Sequence, residues 1–370
     1  MNETILQFGA GNFLRAFVDA FVHEANGQGQ EVGRIVVVQS TPGPRAQLLN
    51  EQEGRYHVVT RGLVGGQLID RVDEVASISR ALVAAEEWEQ VLEVARSPAL
   101  RWVVSNTTES GFVLDPAEKA PGDGTPRSFA AKLAVVLESR FAAGLEPLTI
   151  MPCELFDDNG GCLRQLVLEQ AAAWGWSGEL VEWIEGGCRW VDSLVDRIVS
   201  GYPADHPLAA TDRLLAAAEP FRLWVMQGQG DETLLCRHPD MQVVSEVAPY
   251  SLRKVRLLNG AHTALVGHVR GMDFTTVRQA LADEAVKGWL EELIFKEIIP
   301  VVEERVEGAR AFAEEGLERF ANPFLDHRLA DIALHHESKI ETRLLPTYRE
   351  YEERFGRRPP LLHALLEEQH

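Results

Sequence analysis

Three polar residues in the second half of the chain have the types and spacing of a proton-transfer site. Lys254, Asn259 and His262 lie at i, i+5 and i+8 in an otherwise apolar segment with helical periodicity. At 100° per residue they spread over an arc of about 140°, so all three side chains can face one pocket. A partly desolvated lysine can exchange a proton with a hydroxyl, and a neighbouring amide can stabilise an alkoxide. The spacing fits equally a wet helix face with a structural histidine, so both interpretations stay open.

A glycine-rich turn near the amino terminus is typical of nucleotide binding. Gly9 and Gly11 lie in the sequence GAGNFL, between an apolar strand-like run and a helical pattern. Glycines at such a turn let the backbone approach a pyrophosphate, and the residues that follow, Asn12 and Phe13, would border it. The dinucleotide fingerprint would place a third glycine where this chain has Leu14. The motif alone is also compatible with a tight turn that binds nothing.

The second strand ends in Gln39 and Ser40, where an acidic residue would normally bind the adenosine ribose. We predict that both residues border the cofactor, and the choice between NAD and NADP stays open. Arg45, just beyond, is interpreted either as a contact for a 2′-phosphate or as an ordinary exposed arginine.

A third polar segment follows another apolar strand. Asn106, Thr107 and Glu109 come after the run RWVV, and the carboxyl ends of strands are where such folds bind ligands. We predict that these residues hold the nicotinamide ribose. The alternative is that they cap a helix or shape a turn.

The elements that must position these residues divide the chain into two parts. The first part alternates strand-like and helical patterns, whereas helical patterns dominate after about Pro249. We therefore predict an α/β fold in which a Rossmann-type, doubly wound sheet domain (1–248) precedes a mainly α-helical domain (249–370) that binds substrate. The predicted strands are Thr4–Gly9, Arg34–Ser40, Arg101–Val104 and Leu148–Met151.

Composition narrows the class of protein. The chain has 36 basic and 56 acidic residues and a formal net charge of −20, which disfavours nucleic acid and anionic membranes as partners. We find no signal-peptide pattern and no apolar stretch near the ~20 residues that span a bilayer, and therefore predict a cytoplasmic protein. The cysteines lack the spacing of a zinc site, so we predict no metal and a small-molecule substrate. The sequence makes no prediction of oligomeric state.

Six segments along nearly the whole chain form a recognisable set. They are FGAGNFLRAF (Phe8–Phe17), SNTTESGF (Ser105–Phe112), CELFDDNG (Cys153–Gly160), DSLVDRIVSG (Asp192–Gly201), KVRLLNGAHTAL (Lys254–Leu265) and RFANPFLDHRLADIALHHESKIETRLLP (Arg319–Pro346). These segments resemble the polyol-specific long-chain dehydrogenases, the mannitol dehydrogenase family. Within that family they are most similar to the tagaturonate reductases, also called altronate oxidoreductases, which interconvert a keto-uronate and an aldonate using NAD.

The resemblance implies a role for several residues. Lys254 would be the general base in oxidation and the general acid in reduction, Asn259 would stabilise the alkoxide, and His262 would orient the substrate. Lys339 matches a position that contacts substrate hydroxyls. Gly9, Gly11 and the segment around Asn106 and Thr107 match the cofactor pocket.

This sequence departs from the family in ways that bear on substrate and cofactor. Leu155 stands where mannitol dehydrogenases have a second oxyanion-hole asparagine, and we predict that Asn159 takes its place at the substrate. Ser251 replaces a glutamate that connects the lysine to solvent, and Pro44 replaces an aspartate that favours NAD. The chain also stops where tagaturonate reductases continue, so an abbreviated substrate domain is expected.

A uronate carries a carboxylate, which cations would have to bind. Arg343 and Lys339, four residues apart on one predicted helix face, are our candidates, because arginine pairs with carboxylates bidentately. Arg253 and Arg256 flank Lys254 but are more simply explained as surface or ion-paired cations. His327 either lines the substrate site or is packed beside a helix cap formed by Asp326.

Two alternative functions remain open. The first keeps the chemistry but changes the substrate to a polyol such as mannitol, or to the mannonate/fructuronate pair. The second is a nucleotide-binding sensor without catalytic activity. Asp192, Asp196 and Arg197 are interpreted as structural, through buried Asp–Arg pairing, rather than as ligands of a metal.

Overall fold

The computed structural model describes residues 1–107, 111–118, 120, 122, 124–230 and 234–367. It divides into two compact units. The first unit contains Met1–Thr60 and Arg71–Val247, and the second contains Arg61–Asp70 and the chain from Ala248 onward.

The first unit is built on a parallel sheet that begins with β1 (Glu3–Phe8) and β2 (Arg34–Gln39). The strand order is β5-β2-β1-β6-β7-β8, so the chain winds outward in both directions from β1. The other strands of this sheet are β5 (Ile78–Val83), β6 (Trp102–Ser105), β7 (Thr149–Pro152) and β8 (Arg189–Trp190).

Helices cover both faces of this sheet. Ile5 and Val37 belong to a core with α1, α2 and α3, whereas their neighbours Leu6 and Val38 belong to a separate core with α4, α5 and α6. Because successive side chains of a strand point to opposite faces, the continuous apolar runs fill both cores at once. The helices are α1 (Asn12–Ala16), α2 (Val18–Gly27), α3 (Arg45–Glu51), α4 (Trp88–Ala95), α5 (Phe129–Ala142), α6 (Asn159–Ala173) and α7 (Gly178–Glu182).

The other described strands form two smaller sheets. One has the order β10-β11-β3-β4 and the other the order β13-β12-β9. Their strands are β3 (Tyr56–Val64), β4 (Gln67–Val75), β9 (Ser193–Asp196), β10 (Val199–Gly201), β11 (Ala216–Ala218), β12 (Leu223–Gln227) and β13 (Met241–Val244). The tip of the β3–β4 hairpin, Arg61–Asp70, is the part that clusters with the second unit.

The second unit is helical and contains π-helical turns. These turns are Lys254–Asn259, Ile294–Ile298 and Ile340–Leu344. The α-helices are α8 (Ala248–Arg253), α9 (Gly260–His268), α10 (Val277–Leu281), α11 (Glu284–Leu293), α12 (Ile299–Val302), α13 (Ala309–Phe320), α14 (Leu329–Ile332), α15 (His336–Lys339), α16 (Leu345–Phe355) and α17 (Pro360–Glu367). In the described part of the chain no helix combines the length and the apolar character needed to cross a bilayer.

The predicted fold class is confirmed, and each of the four predicted strands is found within one residue of its predicted ends. The sequence interpretation missed the β3–β4 hairpin. The residues of β4 alternate weakly in polarity, and charged Arg71 and Glu74 are exposed, so the strand carries little periodic signal.

Candidate functional site

The glycine turn after β1 has room for a ligand. Gly9 has φ +129°, and a Cβ there would lie 3.0 Å from Leu14 Cδ1 and 3.3 Å from the Asn106 carbonyl oxygen. The fold itself therefore requires glycine at this position. Gly11 has φ −73°, and a Cβ there would meet nothing within 4 Å. The protein leaves Gly11 open, as a closely approaching diphosphate would need.

The two residues after the glycine turn are held by side-chain contacts within the first unit. Asn12 and Phe13 are half-buried in the first turn of α1. Asn12 Oδ1 accepts a hydrogen bond of 2.6 Å from Arg15, and the Phe13 ring stacks on Phe17 at 4.9 Å. They lie beside the glycines as predicted, and their contact with a cofactor stays a prediction.

Gln39 has a different role from the predicted one. Its amide nitrogen donates to the Thr41 and Gly43 carbonyl oxygens at 2.9 and 2.7 Å, and its oxygen accepts from the Ala46 N–H at 2.7 Å. These bonds shape the loop between β2 and α3, so the structure argues against Gln39 as a cofactor contact. Ser40 is exposed at the end of β2, and Arg45 is exposed in the first turn of α3.

The end of β6 meets the glycine turn. Phe8 pairs with Ser105 in the sheet, so the following residue, Asn106, lies beside Gly9. The Asn106 side chain donates to the Cys153 carbonyl oxygen at 2.7 Å, and the Thr107 N–H donates to Glu154 at 2.8 Å. Glu109 lies outside the described residues.

Glu154 is a residue that sequence reasoning missed. Its carboxyl group is 97% buried and joins the ends of β6 and β7 through Thr107 and the Ser105 hydroxyl. Burial raises its pKa, which these hydrogen bonds oppose. The only signal in the sequence was its place in the CELF segment, directly after an apolar strand.

In the second unit, Lys254 and Asn259 are the first and last residues of a π-helical turn, which corrects the predicted α-helical geometry. An α-helix separates positions i and i+5 by about 140°. In a π-helix the hydrogen bond joins i to i+5, so these residues lie one above the other on the same face. Both side chains are half-buried. The π-turn thus brings Lys254 and Asn259 closer together than predicted.

His262 follows one helical turn later and is 93% buried. Its ring lies against Phe320, with centroids 4.0 Å apart, and edge-on to His327 at 4.8 Å. Burial lowers its pKa well below the ordinary value, and the neighbouring His327 and the cations Arg319, Arg343 and Lys339 lower it further. The imidazole is therefore neutral at pH 7. Its Nε2 is buried and has no hydrogen-bond partner in the described chain.

Lys339 and Arg343 lie near this histidine. Arg343 lies in the π-turn Ile340–Leu344, which packs against both α9 and the π-turn of Lys254. Arg343 donates to the Thr263 hydroxyl at 3.3 Å, and Lys339 donates to the Ile332 carbonyl oxygen at 2.8 Å. Burial lowers the pKa of both groups. Among the described residues no carboxylate lies within ion-pairing distance of either cation.

Asn159 does not have the geometry of a substrate contact. It is fully buried at the start of α6, where its nitrogen donates to Glu154 O and Ser193 O, each at 2.9 Å. Its oxygen accepts from the Ser193 N–H at 2.9 Å. Because the backbone uses both ends of the amide, the predicted replacement for an oxyanion-hole asparagine is wrong, and Asn159 is structural. Leu155 is 72% exposed.

The two arginines that flank Lys254 both contact other side chains of the protein. Arg256 is buried and pairs with Glu350 at 2.9 Å and with the Thr347 hydroxyl at 2.7 Å. The Arg253 guanidinium packs over the rings of Tyr250 and Phe312 at 5.0 and 4.5 Å. Ser251 is buried in α8.

Two further sequence interpretations need correction. Asp326 pairs with Arg278 at 2.9 Å and does not cap a helix, since α14 begins after Arg328. Arg197 is structural, as interpreted, but its guanidinium donates to the carbonyl oxygens of Glu219 and Ala16. Among the described residues no cluster of histidine, cysteine and carboxylate side chains could hold a metal ion.

Known families match almost the entire chain. The family model of the mannitol dehydrogenase Rossmann domain matches residues 3–235. The model of the mannitol dehydrogenase C-terminal domain matches residues 246–366.

Curated relatives that share the name altronate oxidoreductase also match nearly the whole chain. An altronate oxidoreductase of Halalkalibacterium halodurans is 39% identical, covering 97% of this chain and 73% of the relative. An altronate oxidoreductase of Bacillus subtilis is 37% identical, covering 97% of this chain and 77% of the relative.

Solved structures agree on the fold. A D-sorbitol dehydrogenase in substrate-free form superposes with a TM-score of 0.82 at 25% identity, covering 96% of this chain and 77% of that one. Mannitol 2-dehydrogenase of Pseudomonas fluorescens, solved with NAD and D-mannitol, superposes with a TM-score of 0.79 at 22% identity. That match covers 100% of this chain and 78% of the other.

Proposed function

The chain belongs to the mannitol dehydrogenase family, and from that premise we propose that it is an NAD-dependent, metal-independent oxidoreductase that interconverts a keto-uronate and an aldonate. The proposed pair is tagaturonate and altronate. The curated relatives at 36–39% identity are altronate oxidoreductases, which favours a sugar acid over an uncharged polyol.

One observation of the structure carries this choice. Lys339 and Arg343 are cations that find no carboxylate among the described residues, and they lie beside the unsatisfied Nε2 of a neutral His262. Arg343 is half-buried without a carboxylate partner among the described residues, and a partly desolvated guanidinium favours an anionic ligand that can pair with it. A substrate carboxylate supplies that missing anion, whereas mannitol does not.

The side chains of the second unit supply the acid–base chemistry. In reduction, Lys254 donates a proton to the carbonyl oxygen as negative charge develops on it, and in oxidation it removes the proton again. The Asn259 amide donates a hydrogen bond to the same oxygen. Neutral His262 orients the substrate.

The glycine turn fits a dinucleotide, because Gly11 leaves an open space that a Cβ would fill. Gly9, Gly11 and Asn12 would hold the diphosphate, and Asn106 and Thr107 would border the nicotinamide ribose. Bound NADH would supply the hydride that reduces the carbonyl carbon. The proposal includes a cytoplasmic location, where NADH and sugar acids meet.

The test is a reductase assay with chelator-treated protein. NADH and NADPH oxidation is followed at 340 nm with tagaturonate, fructuronate and fructose as separate substrates. The proposal predicts oxidation of NADH with a keto-uronate, with tagaturonate preferred. Activity with fructose alone would place the protein among the polyol dehydrogenases. Binding of NADH without turnover of any substrate would support the sensor hypothesis instead.

A further inference from the structure

Two buried polar side chains hold the carbonyl groups of the glycine turn. Gln7 Nε2 donates to the Gly9 carbonyl oxygen at 3.2 Å, and Arg15 Nη1 donates to the Ala10 carbonyl oxygen at 2.7 Å. Gln7 is fully buried, and Arg15 is 97% buried. Both carbonyls therefore point into the first unit.

The orientation of these carbonyls fixes the orientation of the next N–H groups. In a trans planar peptide the N–H points opposite to the C=O. The N–H groups of Ala10 and Gly11 must then point away from Gln7 and Arg15. In the described chain neither N–H has a backbone acceptor. Two adjacent N–H groups that point outward can bind an anion.

Arg15 is anchored on several sides. Its second terminal nitrogen donates to Asn12 Oδ1 at 2.6 Å and to the Leu214 carbonyl oxygen at 3.2 Å. Its own carbonyl oxygen lies 2.9 Å from Tyr56 Oη. This carbonyl is available because α1 ends at Ala16 and α2 begins only at Val18. Arg15 thus connects the glycine turn and α1 to Leu214 and to Tyr56 of β3.

Burying a guanidinium without a paired carboxylate costs stability, and an apolar side chain would fill the same space more cheaply. The arginine is explained if the glycine turn needs a hydrogen-bond donor at this place, which an apolar core residue could not provide. The third glycine of the fingerprint is absent, since Leu14 occupies its place and is buried.

We propose that Arg15 and Gln7 are positioning residues for the cofactor, which hold the Gly9 and Ala10 carbonyls so that the Ala10 and Gly11 N–H groups face the diphosphate. Neither side chain touches the cofactor. The inference rests on the proposed dinucleotide-dependent function and adds residues that act through the backbone.

The experiment compares Arg15→Met with Arg15→Lys and with Arg140→Met as a matched control. Arg140 is also buried and donates to the Ala95, Ser97 and Leu100 carbonyl oxygens, which precede β6, whereas the glycine turn follows the opposite end of the parallel strands. Binding of ADP-ribose and of adenosine is measured by calorimetry, because only ADP-ribose carries the diphosphate. Thermal unfolding is recorded for each variant, and Gln7→Leu replaces Arg15→Met if that variant does not fold.

The proposal predicts that Arg15→Met weakens ADP-ribose about tenfold or more, the value of a hydrogen bond to a charged group, and leaves adenosine nearly unchanged. Arg15→Lys should recover part of the loss, and Arg140→Met should lower the melting temperature without changing either affinity. In turnover, the KM for NADH should rise while kcat at saturating NADH stays within about twofold.

Unchanged ADP-ribose binding in folded Arg15→Met, or an equal loss for both ligands, would overturn the inference. Wild-type protein that binds no ADP-ribose would overturn it together with the proposed function. Wild-type protein that binds ADP-ribose but reduces no keto-uronate would overturn the proposed function alone.

Discussion

Proton transfer at Lys254 is the residue-level event on which the proposed function depends. Its place at the start of a π-turn puts it one hydrogen-bonded turn from Asn259, and the proposed mechanism requires both side chains to reach one substrate oxygen. We expect Lys254→Ala to lower kcat by about 10²- to 10⁴-fold, the usual contribution of general acid–base catalysis. NADH titration by protein fluorescence should give an unchanged dissociation constant.

Lys287→Ala is the control for this variant, because Lys287 is exposed on α11. It should leave kcat unchanged. Equal turnover by the Lys254→Ala and wild-type enzymes would remove Lys254 from the mechanism.

A variant of Arg343 tests whether the substrate is an acid. Replacing it with glutamine removes the cation that would pair with a substrate carboxylate but keeps a hydrogen-bond donor near Thr263. We expect kcat/KM for tagaturonate to fall about tenfold to a hundredfold, as for loss of a charged hydrogen bond, with little effect on any activity toward fructose.

The matched control is Arg349→Gln, since Arg349 is exposed on α16. It should behave as wild type with both substrates. A parallel loss of activity toward tagaturonate and fructose in Arg343→Gln would indicate a structural arginine.

Two amides that the sequence placed in the site, Gln39 and Asn159, are used by the local backbone, whereas the roles of Lys339 and Arg343 stay predictions. Lys339 and Arg343 were selected by chemistry that a carboxylate demands, and the structure brings them near His262. Gln39 and Asn159 were selected by position after strands, yet the local backbone uses their amides completely. The hydrogen bonds of a buried amide depend on turns that a sequence pattern does not specify.

At the scale of elements, the two glycines of the turn between β1 and α1 have different reasons to be glycine. The fold requires Gly9, whereas only a bound ligand would require Gly11. Gly9→Ala would strain a left-handed φ of +129° and press on Leu14, so it should lower both the melting temperature and NADH affinity. Gly11→Ala adds a methyl group only to open space. It should leave the melting temperature nearly unchanged and weaken NADH about tenfold or more, as for loss of a charged hydrogen bond.

Differential scanning fluorimetry without cofactor and NADH titration together check this pair of variants. Gly288→Ala is a control, because Gly288 lies on α11 with nothing within 4 Å of its Cβ position. Normal NADH binding by Gly11→Ala would mean that no diphosphate approaches this turn.

The π-turns are the elements that the sequence could not predict. Periodicity located the helical segment around Lys254, but an extra residue per turn changes which side chains share a face without changing the apolar pattern strongly. The same holds for Ile340–Leu344, where Arg343 lies. The β1–α1–β2 unit was predictable because its strands are buried on both faces.

At the scale of the whole molecule, a local cluster of cations contrasts with the negative net charge. The chain carries a net charge of −20, yet Arg319, Lys339 and Arg343 act together on His262. Such a local cluster would let an anionic substrate bind within a repulsive overall field, since low-dielectric surroundings strengthen short-range attraction.

The stability of the folded chain should depend on pH through one buried carboxyl group. Asp19 lies fully buried in α2, with Oδ2 3.0 Å from Tyr56 Oη. Burial raises the pKa of Asp19 to about 7, against an opposing hydrogen bond from Tyr56 and the charge of Arg15. Because the folded-state pKa exceeds the unfolded one, Asp19 stabilises the fold fully below about pH 4. That contribution is lost as pH rises toward and through 7.

Asp19→Asn removes this dependence while keeping the shape of the side chain. The free energy of unfolding of the variant relative to wild type should therefore rise by about 3 kcal/mol between pH 5 and pH 8, at 1.36 kcal/mol per pKa unit. Urea denaturation across this range measures the difference, with Asp205→Asn as an exposed control whose curve should follow wild type. A constant difference between Asp19→Asn and wild type would mean that Asp19 is ionised throughout, and that Arg15 pairs with it more strongly than the distances indicate.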